Sequence, residues 1–458
     1  MRPKTTWLIG LALLCAPGPA RAEEAPSAAA VGPVTVVHAG LLLAVPGESP
    51  RLEQSVVIRD GRIERVVDGY LEAGGLAGDV RIVDLRDSFV LPGLTDLHTH
   101  ITSELGPQSK LDAVTESRVD SALDATVFLR RTLEAGFTTI RDTGDDPEVI
   151  FGLRRAVAAG RVAGPRIVAA GAGIANTGGH ADNHGYREEI LELYRSSGVC
   201  DGADDCRRAV RAQIKRGSDW IKITATGGVL SETAAGVNQQ LFDDELVAIV
   251  ETARMMGRHV AAHAHGTDGI NAALAAGVRT IEHGTYSDDE SFALFKSQGA
   301  YLVPTMLAGE TVARMASQSD FMPAPIRDKA LAVGPHMLDM VRRAHRAGVT
   351  IAFGTDSGVS RHGDNAREFL LLVEAGLTQM EAIESATVTA AEVLGMEGEI
   401  GTIEPGKRAD LIATQGSPLE DISALLDVRF VMKDGEVYKD DGLPVLPVPA
   451  LPVPAPRG

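Results

Sequence analysis

Residues 256–285 read MGRHVAAHAHGTDGINAALAAGVRTIEHGT, and this stretch contains the repeating unit that decides the fold. Gly257 ends one helical pattern and precedes the apolar run RHVAAHA; Gly277 ends the next and precedes VRTIEH. A glycine just past a helix supplies the left-handed cap that turns the chain back into a strand. The same succession recurs outward in both directions, with Gly136 before FTTIRD, Gly217 before SDWIKI, Gly299 before AYLVPT and Gly348 before VTIAFG. VLPGLTDLH at 90–98 and PRIVAAG at 165–171 bring the strands to eight. Each is short and apolar on both faces, as required where helices cover one side of a parallel sheet and a packed interior the other. Eight alternating units over residues 91–394 predict an α/β chain of the (β/α)8 TIM-barrel type rather than an open doubly wound sheet.

The flanks have a different grammar. Residues 33–90 hold VTVVHAG, LLLAVPG, SVVIRDGRIERVVD and VRIVDL, and residues 395–440 return to the same style with ADLIAT and RFVMKDGEVYKD. Asp60-Gly61 and Asp434-Gly435 are hairpin turn signals. These segments predict one small β-sandwich domain assembled from both ends of the chain. The tail 443–458, LPVLPVPALPVPAPRG, is proline-rich and is expected to be extended and poorly ordered.

With 458 residues, 44% hydrophobic and 23% charged, the composition is that of a soluble globular protein; it excludes a collagen-like or multi-span membrane chain. Acidic residues outnumber basic ones 62 to 44, which disfavours nucleic acid and anionic membranes as partners and points to a small molecule. Residues 1–22 read as a secretory signal: Arg2 and Lys4, the apolar run from Leu8 to Cys15, then Ala20-Arg21-Ala22 at the cleavage site. A secreted or periplasmic location without membrane attachment after processing is therefore expected. Removal of the signal leaves Cys200 and Cys206. In an exported chain this pair suggests a disulfide; two free thiols are the alternative, and a zinc pair lacks a second cysteine pair to complete it.

Strand C-termini face the site in such a barrel, and here they are rich in metal-binding side chains. His98 and His100 end the first strand two residues apart, so both imidazoles share its inner face. Lys222 lies in DWIKI, His263 and His265 in AAHAHG, His283 in IEHG and Asp356 in FGTDSG. Each alone has a plain reading, a hydrogen-bonded core histidine or a helix-capping aspartate. Yet five of the 12 histidines occupy strand ends, which turns the set into a metal-site candidate.

The motifs GLTDLHTH, AAHAHG, TIEHGT and FGTDSG, together with the IEPGKRADLI return to the β domain, resemble the metal-dependent amidohydrolase superfamily. The resemblance spans nearly everything after the signal. It is greatest to the Xaa-Pro dipeptidase and imidazolonepropionase-like branch, which includes ochratoxin-degrading amidohydrolases. It implies a pair of divalent ions, most often zinc, with His98, His100 and Asp356 holding one and His263 and His283 the other. Lys222 matches the family lysine that carbon dioxide converts to a bridging carbamate, although an ion-paired lysine is the plain alternative. A free ammonium would repel two cations, whereas a carbamate would neutralise part of their charge. The implied reaction is amide hydrolysis: the metals activate a shared water and polarise the carbonyl, and Asp356 carries the proton to the leaving amine.

His265 is expected to face the same cavity as His263 and to contact a substrate carboxylate. Ser103 and His180 are further candidates for substrate contacts, with loop hydrogen bonding as the alternative. Ser231 in GGVLSE, on a loop that could form a lid, is another candidate for substrate contact, and Trp220 is expected to pack between barrel and helices. The expected substrate is an N-acyl amino acid or dipeptide with a free carboxylate, ochratoxin A among them, and the expected assembly is a homo-oligomer. A cyclic amidohydrolase or deaminase is the enzymatic alternative, and a catalytically silent metal- or ligand-binding barrel the alternative of another kind. No G-x-S-x-G elbow, HExxH helix or P-loop supports a serine hydrolase, a zinc-helix protease or a nucleotide enzyme.

Overall fold

The computed structural model describes residues 33–232, 236–318 and 322–445; the expected signal peptide and the tail from 446 lie outside the described residues. In chain order the strands are β1 (Val34–Leu42), β2 (Arg51–Arg59), β3 (Arg62–Asp68), β4 (Val80–Pro92), β5 (Leu94–Thr99), β6 (Phe137–Asp142), β7 (Arg166–Ala169) and β8 (Ile221–Thr224). They continue as β9 (Val260–Ala264), β10 (Thr280–His283), β11 (Tyr301–Val303), β12 (Leu411–Thr414), β13 (Phe430–Lys433), β14 (Glu436–Asp440) and β15 (Leu443–Pro444).

β1–β4 and β12–β15 form one mixed sheet in the order β15-β14-β13-β12-β4-β1-β2-β3. β4 joins the chain ends, running parallel to β1 and pairing antiparallel with β12 through Phe89–Pro92. Its outer half alternates, Val83 and Leu85 in and Asp84 and Arg86 out, and its last four residues are buried on both faces where it meets the barrel. The hairpin tips Asp60-Gly61 and Asp434-Gly435 have all four residues at positive φ, as the two-residue hairpin turn requires. β2 and β13 are four places apart in the sheet, about 19 Å if it were flat. Yet the Ala409 amide donates to Gly61 O at 2.9 Å and the Gly435 amide to Ala409 O at 3.0 Å, so the two tips meet. The predicted sandwich is thus one sheet curled on itself around Val37, Ile58, Ile63, Leu411, Phe430 and Met432.

The barrel strands are parallel and, apart from β7, buried along their whole length. All six glycines read as helix caps, at 136, 217, 257, 277, 299 and 348, have positive φ. Regular ladders cover only two sheets, β5-β6-β7 and β11-β10-β9-β8. Backbone bridges span the gaps: Ile174 to Ile223 beside β8, Leu302 of β11 to Ile351, and Ser357 to Thr99 of β5. Hydrogen-bonded adjacency thus returns to β5, but the eighth member, segment 351–357, is not a regular strand. Its departure has a local cause: the chain bends at Asp356, φ 57°, and again at Gly358, φ 115°. Arg166 at the start of β7 ties barrel to sheet domain, donating to Asp410 at 2.8 Å and Asp434 at 2.7 Å.

Cys200 and Cys206 are joined, with Cα atoms 5.0 Å apart, tying the approach to helix Ala203–Arg216 to its first turn. Closing so short a loop stabilises the fold by about 2 kcal/mol on chain-entropy grounds. Reductant should therefore lower the urea midpoint by that equivalent, and an unchanged midpoint would remove the disulfide from the account. Among the described residues no helix is long and apolar enough to cross a membrane.

Candidate metal centre

The C-terminal ends of the barrel strands open into a cleft of about 1510 Å³, whose lining includes His98, His100, His180, Lys222, His263, His265, His283 and Asp356. Two clusters stand out. His98, His100 and Asp356 place donor atoms within 4.8 Å of one another, and so do His263, His265 and His283. The period of two on β5 brings the first pair together, and the 57° φ of Asp356 turns its carboxylate toward them. Asp356 Oδ1 lies 3.4 Å from His98 Nε2 and 3.2 Å from His100 Nε2, and this buried oxygen has no hydrogen-bond partner.

The partners behind the rings fix which nitrogen is free. His98 Nδ1 meets Glu282 Oε2 at 2.7 Å, and His100 Nδ1 donates to Gly144 O at 2.7 Å, so each turns its Nε2 toward Asp356. His283 Nδ1 lies 2.6 Å from Thr305 Oγ1, whose own proton goes to Pro304 O, so the ring donates there as well. His263 is the reverse case, with Nε2 against Gly227 O at 3.3 Å and Nδ1 left free. His283 and Thr305 both have positive φ, 69° and 51°, which costs about 1–3 kcal/mol each for non-glycine residues and is typical of strain held at a functional site.

Burial sets the protonation of this centre. It lowers His98 and His265 to about 4 and drives His263 and His283 well below the usual imidazole range, so these four present lone pairs at neutral pH; at His100 burial is outweighed by the Asp356 carboxylate, which raises it. Burial opposes ionisation of Asp356, but His98 and His100 outweigh it and hold the carboxyl well below its ordinary value. Burial also brings Lys222 down to about 8. Its Nζ lies 3.3 Å from His98 Nε2, and among the described residues no carboxylate comes within ion-pair distance. The ion-paired alternative for this lysine therefore has no partner.

A model of the amidohydrolase family matches residues 89–438, most of the chain. The chain belongs to the metal-dependent amidohydrolase superfamily. The ochratoxinase of Aspergillus niger is 32% identical over 440 residues, covering 90% of this chain and 88% of that protein. A crystal structure of a Xaa-Pro dipeptidase with bound methionine in its active site is 42% identical, with a TM-score of 0.82 over 89% of this chain and 100% of the other. A. niger ochratoxinase itself superposes with a TM-score of 0.77 at 30% identity, covering 90% of this chain and 96% of that one. These neighbours share a TIM-barrel fold, and the amidohydrolase is a hydrolase acting on C–N bonds.

The donors of this amidohydrolase fit divalent metal: clustered imidazoles, most of them held neutral by burial, and an ionised carboxylate with an unpartnered oxygen. All six residues read as ligands converge here, and His265 joins them, its ring stacked on His283 at 4.9 Å and its Nδ1 on Thr285 at 2.8 Å. His180 also arrives, its ring 4.2 Å from His263. Ser103 lines the cleft through an exposed position, and its carbonyl meets His362 Nε2 at 3.0 Å. Ser231 is buried, and its hydroxyl donates to Gly228 O at 3.2 Å within its own turn. Trp220 packs under the centre, with Arg141 4.6 Å above its ring.

The sequence reading missed the supports. Arg141 donates to Glu282 at 2.9 Å and to Leu97 O at 2.6 Å, and both side chains are fully buried. Glu282, opposed by burial but held by Arg141 and His98, stays at about 2 and orients His98. Asp96 accepts from the His98 amide, the Thr355 hydroxyl and Asn365, locking β5 to the segment that bears Asp356. A charge inside an apolar strand is the available signal, since a buried charge must be paired. Arg141, Glu282 and Asp96 all stand inside the quoted motifs.

Proposed function

We propose that this amidohydrolase cleaves the amide bond of N-acyl amino acids or dipeptides with a free carboxylate, ochratoxin A included, using two divalent ions of the zinc type and a carbamate on Lys222. The observation that carries the reading is the pair of donor clusters around a buried lysine that no carboxylate among the described residues approaches within ion-pair distance. Lys222 touches His98 of one cluster, and its charge reaches His263 and His283 of the other. A carbamate converts that unmatched cation into an anionic, two-oxygen ligand.

The ions, once bound, supply an activated water and polarise the scissile carbonyl. The protein's own part is to hold most of the imidazoles neutral by burial and to aim the rings through Glu282, Gly144, Thr305 and Gly227. Asp356, ionised and unpartnered at Oδ1, takes the proton of the attacking water and returns it to the departing nitrogen. One amide and one water give one acid and one amine.

The free-carboxylate preference is supported by two relatives, one an ochratoxinase and one a dipeptidase with an amino acid in its active site. His265 stands beside the second cluster in a position to contribute. The test is a panel of N-acyl amino acids, Xaa-Pro dipeptides and ochratoxin A, each paired with its C-terminal carboxamide. The free acids should react about 10- to 100-fold faster in kcat/KM, the value of one charge-assisted contact. Equal rates for acid and carboxamide would favour the cyclic-amide or deaminase alternative. Export with loss of residues 1–22 completes the proposal, supported by the disulfide, and a homo-oligomer is the expected assembly.

A further inference from the structure

Helix Met306–Gln318 begins two residues after β11 ends, and its first amides are satisfied from outside the helix. The first four amides of any helix lack a partner within it, and the residue just before the helix ordinarily offers a side-chain oxygen to the second or third of them. That residue here is Thr305, a good capping type, yet its hydroxyl does not cap. Thr305 Oγ1 donates to Pro304 O at 2.8 Å and accepts from His283 Nδ1 at 2.6 Å. The amides of Met306 and Leu307 donate instead to Glu368, at 2.9 Å to Oε1 and 2.7 Å to Oε2. Those of Ala308 and Gly309 reach Thr305 O at 3.1 and 3.5 Å, which completes the first turn.

Glu368 comes from helix Arg367–Glu374 and is fully buried. A carboxylate out of contact with water needs donors on its oxygens, and a helix N-terminus supplies amides and a favourable dipole together. Three residues earlier, Asn365 donates to Asp96 Oδ2 at 2.7 Å, and Asp96 accepts from the His98 amide at 3.0 Å. The short segment 365–368 therefore braces both histidine clusters, one through Asp96 and β5, the other through the start of helix Met306–Gln318 and Thr305.

We propose that Glu368 is a positioning residue for the metal centre: by capping helix Met306–Gln318 in place of Thr305, it leaves the Thr305 hydroxyl free to hold His283 through Nδ1. Without the carboxylate, the Leu307 amide is unpaired, and it is the amide that a hydroxyl at position 305 ordinarily takes. Recapture of that hydroxyl by its own helix would release His283. An imidazole ligand that loses the partner of its second nitrogen binds metal about 10- to 100-fold more weakly. The inference rests on the reading of His283 as a metal ligand in the proposed hydrolase.

The experiment compares wild type with Glu368→Gln, Thr305→Val, their double variant and Thr305→Ser. It reads zinc affinity by competition with a chromophoric chelator, the visible spectrum of cobalt-substituted protein, the thermal midpoint, and kcat and KM on an N-acyl amino acid. Glutamine keeps the length and one acceptor oxygen but turns an NH2 toward the second amide. Affinity for the more weakly held ion should fall about 10- to 100-fold in Glu368→Gln and in Thr305→Val, and no further in the double variant, because both substitutions remove one support. Thr305→Ser keeps the hydroxyl and should keep wild-type affinity, and the losses in turnover should fall on kcat rather than KM. A Glu368→Gln protein with a lowered thermal midpoint but wild-type zinc affinity and cobalt spectrum would reduce Glu368 to a helix cap and overturn the assignment. Losses that multiply in the double variant would overturn it as well, since Glu368 would then act by a route other than Thr305. Should Glu368→Gln fail to fold, Glu368→Asp, one methylene shorter with the charge kept, carries the same comparison. Zinc affinity is read without substrate, so a protein that shows this pattern but cleaves no N-acyl amino acid would sink the hydrolase reading and support the role of Glu368.

Discussion

Lys222→Ala should lose at least about three decades of kcat, equivalent to about 4 kcal/mol of transition-state stabilisation. The reason is geometric as well as electrostatic. Lys222 is buried within reach of His98, and alanine would leave both donor clusters without the carbamate proposed to join them. Metal content should drop toward one ion or none, and formate or acetate at high concentration should restore part of the rate by occupying the vacated space. A wild type incubated with carbon-13 bicarbonate should show a carbamate signal that Lys222→Ala lacks. If the variant instead keeps its metal and its rate, the bridge assigned to this lysine is wrong.

Arg141→Met should be the most damaging substitution outside the ligand set. It strands Glu282 as an unpaired buried carboxylate and frees the Leu97 carbonyl, a loss of about 3–5 kcal/mol by the general cost of breaking a buried ion pair. Arg141→Met with Glu282→Gln should recover part of that stability, because the stranded charge is gone, yet not the activity, because His98 loses its charged orienting partner. Chemical denaturation measures the first and turnover the second. Glu282 also sets a pH signature. Its folded pKa of about 2 lies below that of an unfolded glutamate, so its stabilisation is full above about pH 4.3 and is lost as pH falls toward 2. The double variant should lose less stability than wild type across that window.

Much of this was legible because periodicity and glycine placement are local properties. The six cap glycines all take the left-handed conformation that the helix-to-strand turns demanded, and the spacing of His98 and His100 put both rings on one face. What escaped depends on distance. The segment 351–357 bridges its neighbours without becoming a regular strand because of the positive φ at Asp356, which the residue types of FGTDSG do not announce. The curling of the terminal sheet depends on contact between hairpin tips more than 370 residues apart in sequence. Arg141 and Glu282 were visible as charges in apolar strands, but only the fold brings β6 and β10 together to pair them. Thr305 carried no signal, because a threonine after a strand does not announce a positive φ or a histidine partner.

The most direct test of the account is a metal titration. Protein stripped by chelator and dialysed should be folded but inactive on an N-acyl amino acid, and stepwise zinc should restore turnover to a plateau at about two ions per chain, with elemental analysis giving the same stoichiometry. Full activity in protein shown to contain no stoichiometric metal would contradict it.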